Sequence, residues 1–419
     1  MKNFKFWVIA LVAILGLNSC SEDCDHEFIE HDFTQDLVGT WTYLADNGQA
    51  EAMVIKADGS FTTTGIMVDG SLYEEKGIIK VVNNKVTLAF DGDNQTFEGR
   101  LEFVAGKSLS LVMFDDNAVR LTYDYCENDL ADEIVGMWVC VDGLSYKESD
   151  MVIQTFKEDG TVTKTGWSVA SNEFVVNEAI TYKIVGDLLF HQRPSDMVKE
   201  GVAPHFASKL TYMPNANQMG DMLTNIAIKL VNGEAVKLSA SMLRIRQSLD
   251  LAGKAYDYNN TYVSNVKGLD EDMTMMGHTF NIGKMEGKNL DKMLKHLLFA
   301  VEFPNANTIK YQYHYNGQNL VFEAPIVVDG NKVTIKMSEF SPYYRDVDMY
   351  MFQDQDDCQL HMYMPTYAFI NYFANMDLAA LTVTGDIDLT DAAAVEAIFE
   401  RMDERVESIN VSFTFKASK

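Results

Sequence analysis

The chain is poor in cysteine, in proline and in positive charge. Of its 419 residues, 5 are cysteine and 7 are proline, and 61 acidic residues outnumber 34 lysines and arginines. The formal net charge of −27 excludes a nucleic-acid partner, because a surface this acidic repels a phosphate backbone. Hydrophobic residues make up 47% of the chain, which is enough to build ordinary globular cores.

Motifs for catalysis and for cofactor binding are missing as well. The sequence has no Gly-x-Ser-x-Gly, no phosphate-binding glycine loop and no Cys-x-x-Cys pair. His278, His314 and His361 fall in predicted strands, where a lone imidazole is more often structural than catalytic. We therefore predict a protein that is not an enzyme and that needs no cofactor.

What is present at the start of the chain is a short export signal. Lys2 and Lys5 precede an uninterrupted apolar run at 6–17, which is shorter than the ~20 residues of a membrane span. A charged start, an apolar middle and a small-residue exit are typical of a secretory signal peptide, here 1–19. The exit Leu17-Asn18-Ser19-Cys20 resembles the lipobox of bacterial lipoproteins, and this resemblance implies that Cys20 carries lipid in the outer membrane.

The segment 20–35 is strongly acidic, and we interpret it as a tether. It resembles the export signal that sends lipoproteins of Bacteroides-like bacteria to the outer face of the outer membrane, which implies a protein facing the cell exterior. Its histidines narrowly miss the zinc motif His-Glu-x-x-His, because the fourth residue after His26 is Glu30 and the imidazole of His31 comes one position later. We predict no metal site here.

A repeat of about 100 residues organises the first two thirds of the chain. Leu-Val-Gly-Thr-Trp at 37–41 recurs as Ile-Val-Gly-Met-Trp at 134–138, and the block 56–65 recurs as 157–166. This period is that of a duplicated domain and is longer than the 20 to 50 residues of solenoid repeats.

Each repeat unit is predicted to be a small antiparallel up-and-down barrel. Turn signals such as Asp58-Gly59 and Asn83-Asn84 separate short β-branched or alternating runs, without a long crossover. The strands predicted for the first unit are Ser60–Met67, Ile78–Val82, Lys85–Phe90, Thr96–Val104 and Leu109–Phe114.

Gly-x-Trp at the first strand, followed by an antiparallel meander, resembles the lipocalin (calycin) family over residues 36–247. The resemblance implies that Trp41 and Trp138 are barrel keystones, each covered by a basic side chain from the last strand of its barrel. The candidates for that side chain are Arg120 in the first unit, and Arg244 or Arg246 in the second.

The last third is predicted to be a divergent calycin-like barrel with a few helices. It lacks the tryptophan motif, but 327–335 echoes 81–88. Helical spacing of apolar residues predicts a helix at Ala392–Val406, and a second helix is predicted in the middle unit at Met222–Val231. The predicted domains are 36–128, 131–248 and 250–419.

Two further features leave alternatives open. Tyr311, Tyr313 and Tyr315 alternate and so share one sheet face, where they either line a cavity that holds an apolar ligand or a glycan, or fill a core. Two functions are therefore predicted as alternatives. The protein is either a surface lipoprotein that binds a small ligand, or an interaction scaffold that contacts an envelope or host protein. After Cys20 the remaining cysteines are Cys24, Cys126, Cys140 and Cys358, and they are either free thiols or partly bridged. If a disulfide forms, Cys126 with Cys140 is the pair to test first.

Overall fold

The computed structural model describes residues 32–418, apart from short stretches at 68, 93–95, 114–119, 144–151, 169–170, 172, 196–197, 199–202, 216–219, 232–233, 276–277, 285–289, 293–294, 296–297 and 316–317. The predicted signal peptide, Cys20, Cys24 and nearly all of the tether lie outside the described residues. Within the described part of the chain, no helix combines the length and the apolar character needed to cross a membrane.

The first eight strands form a closed antiparallel barrel in which each strand pairs with the next and the last returns to the first. Asn83 and Asn84 both have positive φ, the backbone of a two-residue hairpin turn, which explains the tight connection that their sequence predicts. The strands are β1 (Gly39–Leu44), β2 (Ala50–Ile55), β3 (Ser60–Ile66), β4 (Leu72–Val82), β5 (Lys85–Phe90), β6 (Thr96–Val104), β7 (Ser108–Met113) and β8 (Arg120–Cys126).

The second unit is a nine-stranded sheet that also curls into a ring. Its strands are β9 (Gly136–Gly143), β10 (Ile153–Phe156), β11 (Thr161–Ser168), β12 (Glu173–Val176), β13 (Ile180–Val185), β14 (Leu188–Gln192), β15 (His205–Met213), β16 (Met222–Val231) and β17 (Glu234–Ile245). They follow the order β10-β9-β17-β16-β15-β14-β13-β11-β12, and β10 also pairs with β11. This extra pairing closes a ring of eight strands, to which β12 is added on β11.

The last unit contains a second closed barrel, of the order β18-β21-β22-β23-β24-β25-β26-β27, and a separate hairpin of β19 and β20. Its strands are β18 (Lys254–Gly268), β19 (Asp272–Met275), β20 (His278–Asn281), β21 (Leu298–Asn305), β22 (Thr308–Tyr315), β23 (Gln318–Asp329), β24 (Lys332–Ile335), β25 (Val347–Gln353), β26 (Gln359–Met364) and β27 (Val406–Ala417). Helices α1 (Thr366–Thr384) and α2 (Ala392–Arg405) lie between β26 and β27. The structure thus confirms an all-β chain of successive antiparallel barrels with few helices.

One helix prediction is confirmed and one is wrong. Helix α2 begins after Asp391, whose side chain accepts hydrogen bonds from two backbone amides of the first turn, and its apolar stripe packs on the barrel core. Met222–Val231 is instead β16, which pairs along its whole length with β17. Its apolar residues lie on both faces of the sheet, because one face packs inward and Met222 lies against the third unit. A strand with apolar residues on both faces has no regular alternation, so its apolar spacing resembles that of a helix.

Each unit encloses its own apolar core, and apolar side chains also join the units to one another. Between the first and second units pack Ala50, Ala52, Ile66, Leu188, Phe190 and Ala207. Between the second and third pack Val139, Ile153, Trp167, Leu243, Ile245, Phe352 and Tyr363. A backbone bridge between Ile245 and Asp354 ties the end of β17 to the turn after β25. The three units therefore form one continuous packed body.

Candidate functional site

Gly-x-Trp has the same local geometry in the first two units. The indole Nε1 of Trp41 donates to the carbonyl of Leu37 at 2.8 Å, and that of Trp138 donates to Ile134 at 2.7 Å. Both rings are almost completely buried. Gly39 and Gly136 open their strands at φ +143° and +136°, a region that residues with a Cβ rarely adopt. The glycine thus allows the chain to turn into the strand that carries the tryptophan.

In the second unit an arginine covers the tryptophan. Arg244 lies opposite Trp138 on the neighbouring strand, with its guanidinium carbon 5.1 Å from the ring centre. The guanidinium also donates to the carbonyls of Glu133 and Val135 and pairs with Asp221 at 3.4 Å. These contacts close one end of the second barrel.

The predicted contact of Arg120 with Trp41 is wrong. Arg120 lies on the outer face of β8, where it pairs with Glu102 and keeps 56% of its side chain exposed. Strand alternation explains this, since Tyr123 and Tyr125 at odd positions of β8 face the core. Trp41 is instead contacted by the rings of Tyr125 at 5.1 Å and Phe103 at 5.8 Å, both edge-on.

Arg246 lies beyond the end of β17 and does not cover Trp138. It donates to the backbone carbonyls of Asp354 and Gln355 and pairs with Asp357 at 3.1 Å. A cleft of about 540 Å³ opens at this junction of the second and third units, lined by Val135, Gly136, Met137, Arg244, Ile245, Arg246, Gln247, Ser248, Asp250 and Gln355. Because both arginines are already paired with carboxylates, the cleft offers a ligand no unbalanced charge.

The end of the third barrel that carries the helices is rich in aromatic rings. Tyr311 faces inward and is half-buried. Its ring stacks on that of Phe322 with 6.5 Å between the ring centres, and its hydroxyl donates a hydrogen bond to the sulfur of Met349. Phe340 lies 5.4 Å from Phe322 and is 50% exposed. Tyr313 is also half-buried and shares the face of Tyr311, whereas the side chain of Tyr315 lies outside the described residues.

Helix α1 adds rings to the same end of the barrel. Burial is the main cause, and the nearby Tyr313 the second cause, of a rise in the pKa of Tyr372 to about 12. Burial and then Tyr372 raise the pKa of Tyr311 well above its ordinary value. These hydroxyls therefore stay protonated and serve as neutral hydrogen-bond groups among the rings. The site combines stacking surfaces with hydroxyls, the set that binds a flat apolar ligand or a sugar face.

A buried carboxyl in the first barrel was not anticipated from the sequence. Glu51 accepts hydrogen bonds from the hydroxyls of Tyr73 and Tyr123, the latter at 2.6 Å. Burial raises the pKa of Glu51, while the two tyrosine hydrogen bonds oppose that rise. The available signal was its alternation with Met53 and Ile55, which fixes an inward direction. Because its oxygens are satisfied, we interpret it as a polar part of a filled interior.

Within the described residues, the cysteines and histidines form no disulfide and no metal-binding group. Cys126, Cys140 and Cys358 are not joined by disulfides, so of the two open alternatives the bridge between Cys126 and Cys140 is not formed. Cys140 faces the interior of the second barrel, whereas Cys126 ends the last strand of the first. In the part of the chain that the structure describes, no three histidine, cysteine or acidic side chains converge in a way that would hold a metal ion.

Comparison with known proteins adds little. No protein-family model matches the chain, and no curated protein sequence matches it. Among solved structures, one match is a double mutant of the vaccine antigen transferrin binding protein B from Haemophilus parasuis, at 10% identity and a TM-score of 0.22. The alignment covers 88% of this chain and 65% of that one, so this chain spans less than two thirds of its length. At that TM-score the similarity carries no argument about fold or function.

Proposed function

We propose that the chain is a non-enzymatic lipoprotein of the outer cell surface that binds a small apolar or carbohydrate ligand at the helix-bearing end of its third barrel. Lipid on Cys20 would anchor it in the outer membrane, and the acidic segment 20–35 would hold the body off the surface. The packed contacts between the units would keep the binding end in a fixed position relative to the first barrel, which the tether precedes in the chain.

The observation that carries the proposal is the set of half-buried rings at that end of the barrel. Inward aromatic side chains that only fill a core are fully buried, as Phe303 is in the same barrel. Tyr311, Tyr313 and Phe322 point inward yet stay partly accessible, and Phe340 extends their surface outward. Accessible rings beside hydroxyls favour a ligand over pure core packing.

A second candidate, an interaction scaffold for an envelope or host protein, rests on a different observation. Val321 and Val327 are 61% and 54% exposed on the outer face of β23, toward the two ends of that strand. Exposed valines on a strand indicate a surface that another protein can cover. The two candidates differ in what copurifies with the chain.

Native mass spectrometry of the mature protein from its own cell envelope tests the ligand proposal. We expect an additional mass that dissociates on denaturation and that decreases in Phe340→Ala and Tyr313→Leu. The matched control is Val104→Ala, which removes a similarly exposed apolar side chain from the first barrel. A bare chain mass together with a copurifying protein would contradict ligand binding and favour the scaffold.

The lipid anchor has its own test. Cys20→Ser should release the protein from the membrane fraction, because no other lipid attachment is predicted. Unchanged membrane partitioning of this variant would contradict the anchor while leaving the ligand proposal to its separate test.

A further inference from the structure

The interior of the second barrel contains a basic cluster at the end opposite Trp138 and Arg244. Lys164 lies on the same face of β11 as Val162, and His191 on the same face of β14 as Leu189, both of which belong to the barrel core. Arg193 follows β14 at the same end of the barrel, two residues after His191. Strand alternation thus directs three basic side chains into one interior.

Contacts across the strands bring the cluster together. The rings of His191 and Phe206 stack at 4.7 Å with 11° between their planes, and the guanidinium carbon of Arg193 lies 4.6 Å from the centre of the Phe206 ring. Lys164 lies directly opposite Gln154 on β10. The pKa of His191 is lowered well below its ordinary value, first by burial and then by Lys164 and Arg193.

The two cationic side chains of the cluster are not balanced by an acidic side chain within the described residues. There neither Lys164 nor Arg193 forms an ion pair with a carboxylate, and the Nε of Arg193 donates to the carbonyl of Ala203. Burial lowers the pKa of Lys164, Cys140 opposes that change, and Arg193 adds a smaller lowering. Burying an unpaired cation is costly, and a chain with 61 acidic residues could readily have placed a carboxylate here.

Two buried polar atoms in the same interior also have no hydrogen-bond partner among the residues that the structure describes. They are Oε1 of Gln154, whose side chain is 8% exposed, and Nδ1 of His191, at 2%. The other imidazole nitrogen of His191 lies 3.4 Å from the hydroxyl of Ser208. Buried polar groups are nearly always satisfied, so these atoms indicate that something else completes the cluster.

The ladder of β11 is irregular beside Lys164, which provides a point of entry. β11 pairs with β13 at Thr161 and Val162 and with β12 from Thr165 to Ser168. Between these two segments the carbonyl of Lys164 accepts from the backbone N–H of Asn177, and the connection 177–179 is exposed. The lysine side chain is only half-buried at this irregularity.

We propose that the interior of the second barrel binds a small organic anion, whose carboxylate or phosphate group lies between Lys164 and Arg193 and reaches His191 and Gln154. This site is in a different barrel from the aromatic end proposed above and does not depend on it. A carboxylate or phosphate would pair both cations through charge-assisted hydrogen bonds. It would accept from Nδ1 of His191 in the tautomer that carries the proton there, and from the NH2 group of Gln154 once that amide is rotated, because the unpartnered Oε1 is itself an acceptor.

Titration calorimetry of the complete mature protein tests the proposal with three probes: octanoate, octanol and inorganic phosphate. We expect octanoate to bind and octanol, which lacks the charge, not to bind. Lys164→Met should lower the affinity for octanoate about 10- to 100-fold, the effect of one lost hydrogen bond to a charged group. Lys157→Met, which removes an exposed lysine at the start of the same hairpin, is the matched control and should bind like the unmodified protein.

Thermal unfolding of Lys164→Met separates a lost site from a lost fold, and Arg193→Gln serves as a second variant that should show the same weakening. Phosphate binding that is lost in the same variants would support the site and identify a small oxyanion as its occupant. Absence of binding by both anions, or equal octanoate affinity in Lys164→Met and the unmodified protein, would overturn the proposal. Phe340→Ala should leave octanoate binding unchanged, which keeps this result independent of the third barrel.

Discussion

Arg244 lies directly opposite Trp138 across the β9–β17 pair, and at the equivalent place in the first barrel Tyr125 lies directly opposite Trp41. The two units therefore cover equivalent tryptophans with different kinds of side chain. In the second, a guanidinium lies over the indole and fixes the preceding backbone carbonyls. In the first, an aromatic edge meets the ring without any charge.

Removing the guanidinium should weaken the second unit strongly. Arg244→Met deletes two hydrogen bonds to carbonyls and leaves the largely buried Asp221 without its cation. We expect the free energy of unfolding to fall by about 3 kcal/mol, as for other broken buried pairs. Urea denaturation followed by tryptophan fluorescence measures it. Arg120→Met is the control and should cost less than about 1 kcal/mol, because its ion pair is exposed. Equal losses in the two variants would contradict the assigned roles.

The position of Arg120 depends on a strand register that the sequence does not predict. The turn signals and the alternation predicted the strands of the first unit closely, since a hairpin turn and the burial of one face are local requirements. Which residue of β8 comes to lie beside Trp41 depends on how the last strand of the barrel pairs with the first, and the paired residues Trp41 and Tyr125 are 84 positions apart. That register follows from barrel closure and has no local signal. The sequence therefore pointed to a basic residue beside Trp41, whereas the residue that lies there is Tyr125.

Helix α1 and the basic cluster were missed for a related reason. The segment of α1 is rich in aromatic and β-branched residues, which favour strands when judged locally, and only its packing on the barrel makes it a helix. Lys164, His191 and Arg193 lie on different elements of the second unit. Their proximity depends on sheet closure, so only the fold reveals it.

The glycine before each tryptophan should tolerate substitution differently in the two barrels. Both glycines need positive φ, so alanine should cost about 1–3 kcal/mol of unfolding free energy at Gly136. At Gly39 an added Cβ would also lie 2.7 Å from the ring of Tyr125, whereas at Gly136 the nearest atom, of Arg244, is 3.6 Å away. Gly39→Ala should therefore cost more than Gly136→Ala in denaturation experiments. The opposite order would show that Tyr125 moves aside readily.

The three cysteines of the described residues should react in an order set by burial. Burial, and then Asp187, raises the pKa of Cys126 to about 11, and Cys140 is fully enclosed, whereas Cys358 is partly exposed. We expect maleimide at neutral pH to label Cys358 before the other two, and Cys126 and Cys140 only after unfolding. Peptide mass spectrometry at successive times measures the order. A peptide in which Cys126 and Cys140 are crosslinked would contradict the absence of a disulfide between them.

His361 should make the third unit less stable in acid. Its side chain is 1% exposed, both ring nitrogens lack a partner, and burial lowers its pKa to about 4. The folded state therefore keeps the imidazole neutral, while the unfolded chain takes up a proton below its ordinary pKa of about 6.5. Stability contributed by the neutral form is intact above pH 6.5 and is lost as the pH falls, by about 3 kcal/mol near pH 4.

Replacing the imidazole with an apolar side chain should remove this acid sensitivity. We expect His361→Leu to unfold with a free energy about 1 kcal/mol higher at pH 7, because two unpartnered polar atoms are no longer buried, and to gain further on the unmodified protein as the pH falls to 4. His314→Gln is the control, because His314 is exposed and bonded to Asn319 and should leave the pH profile unchanged. Urea denaturation at several pH values measures all three proteins. Parallel profiles for His361→Leu and the unmodified protein would mean that the imidazole is protonated, or hydrated, inside the folded chain.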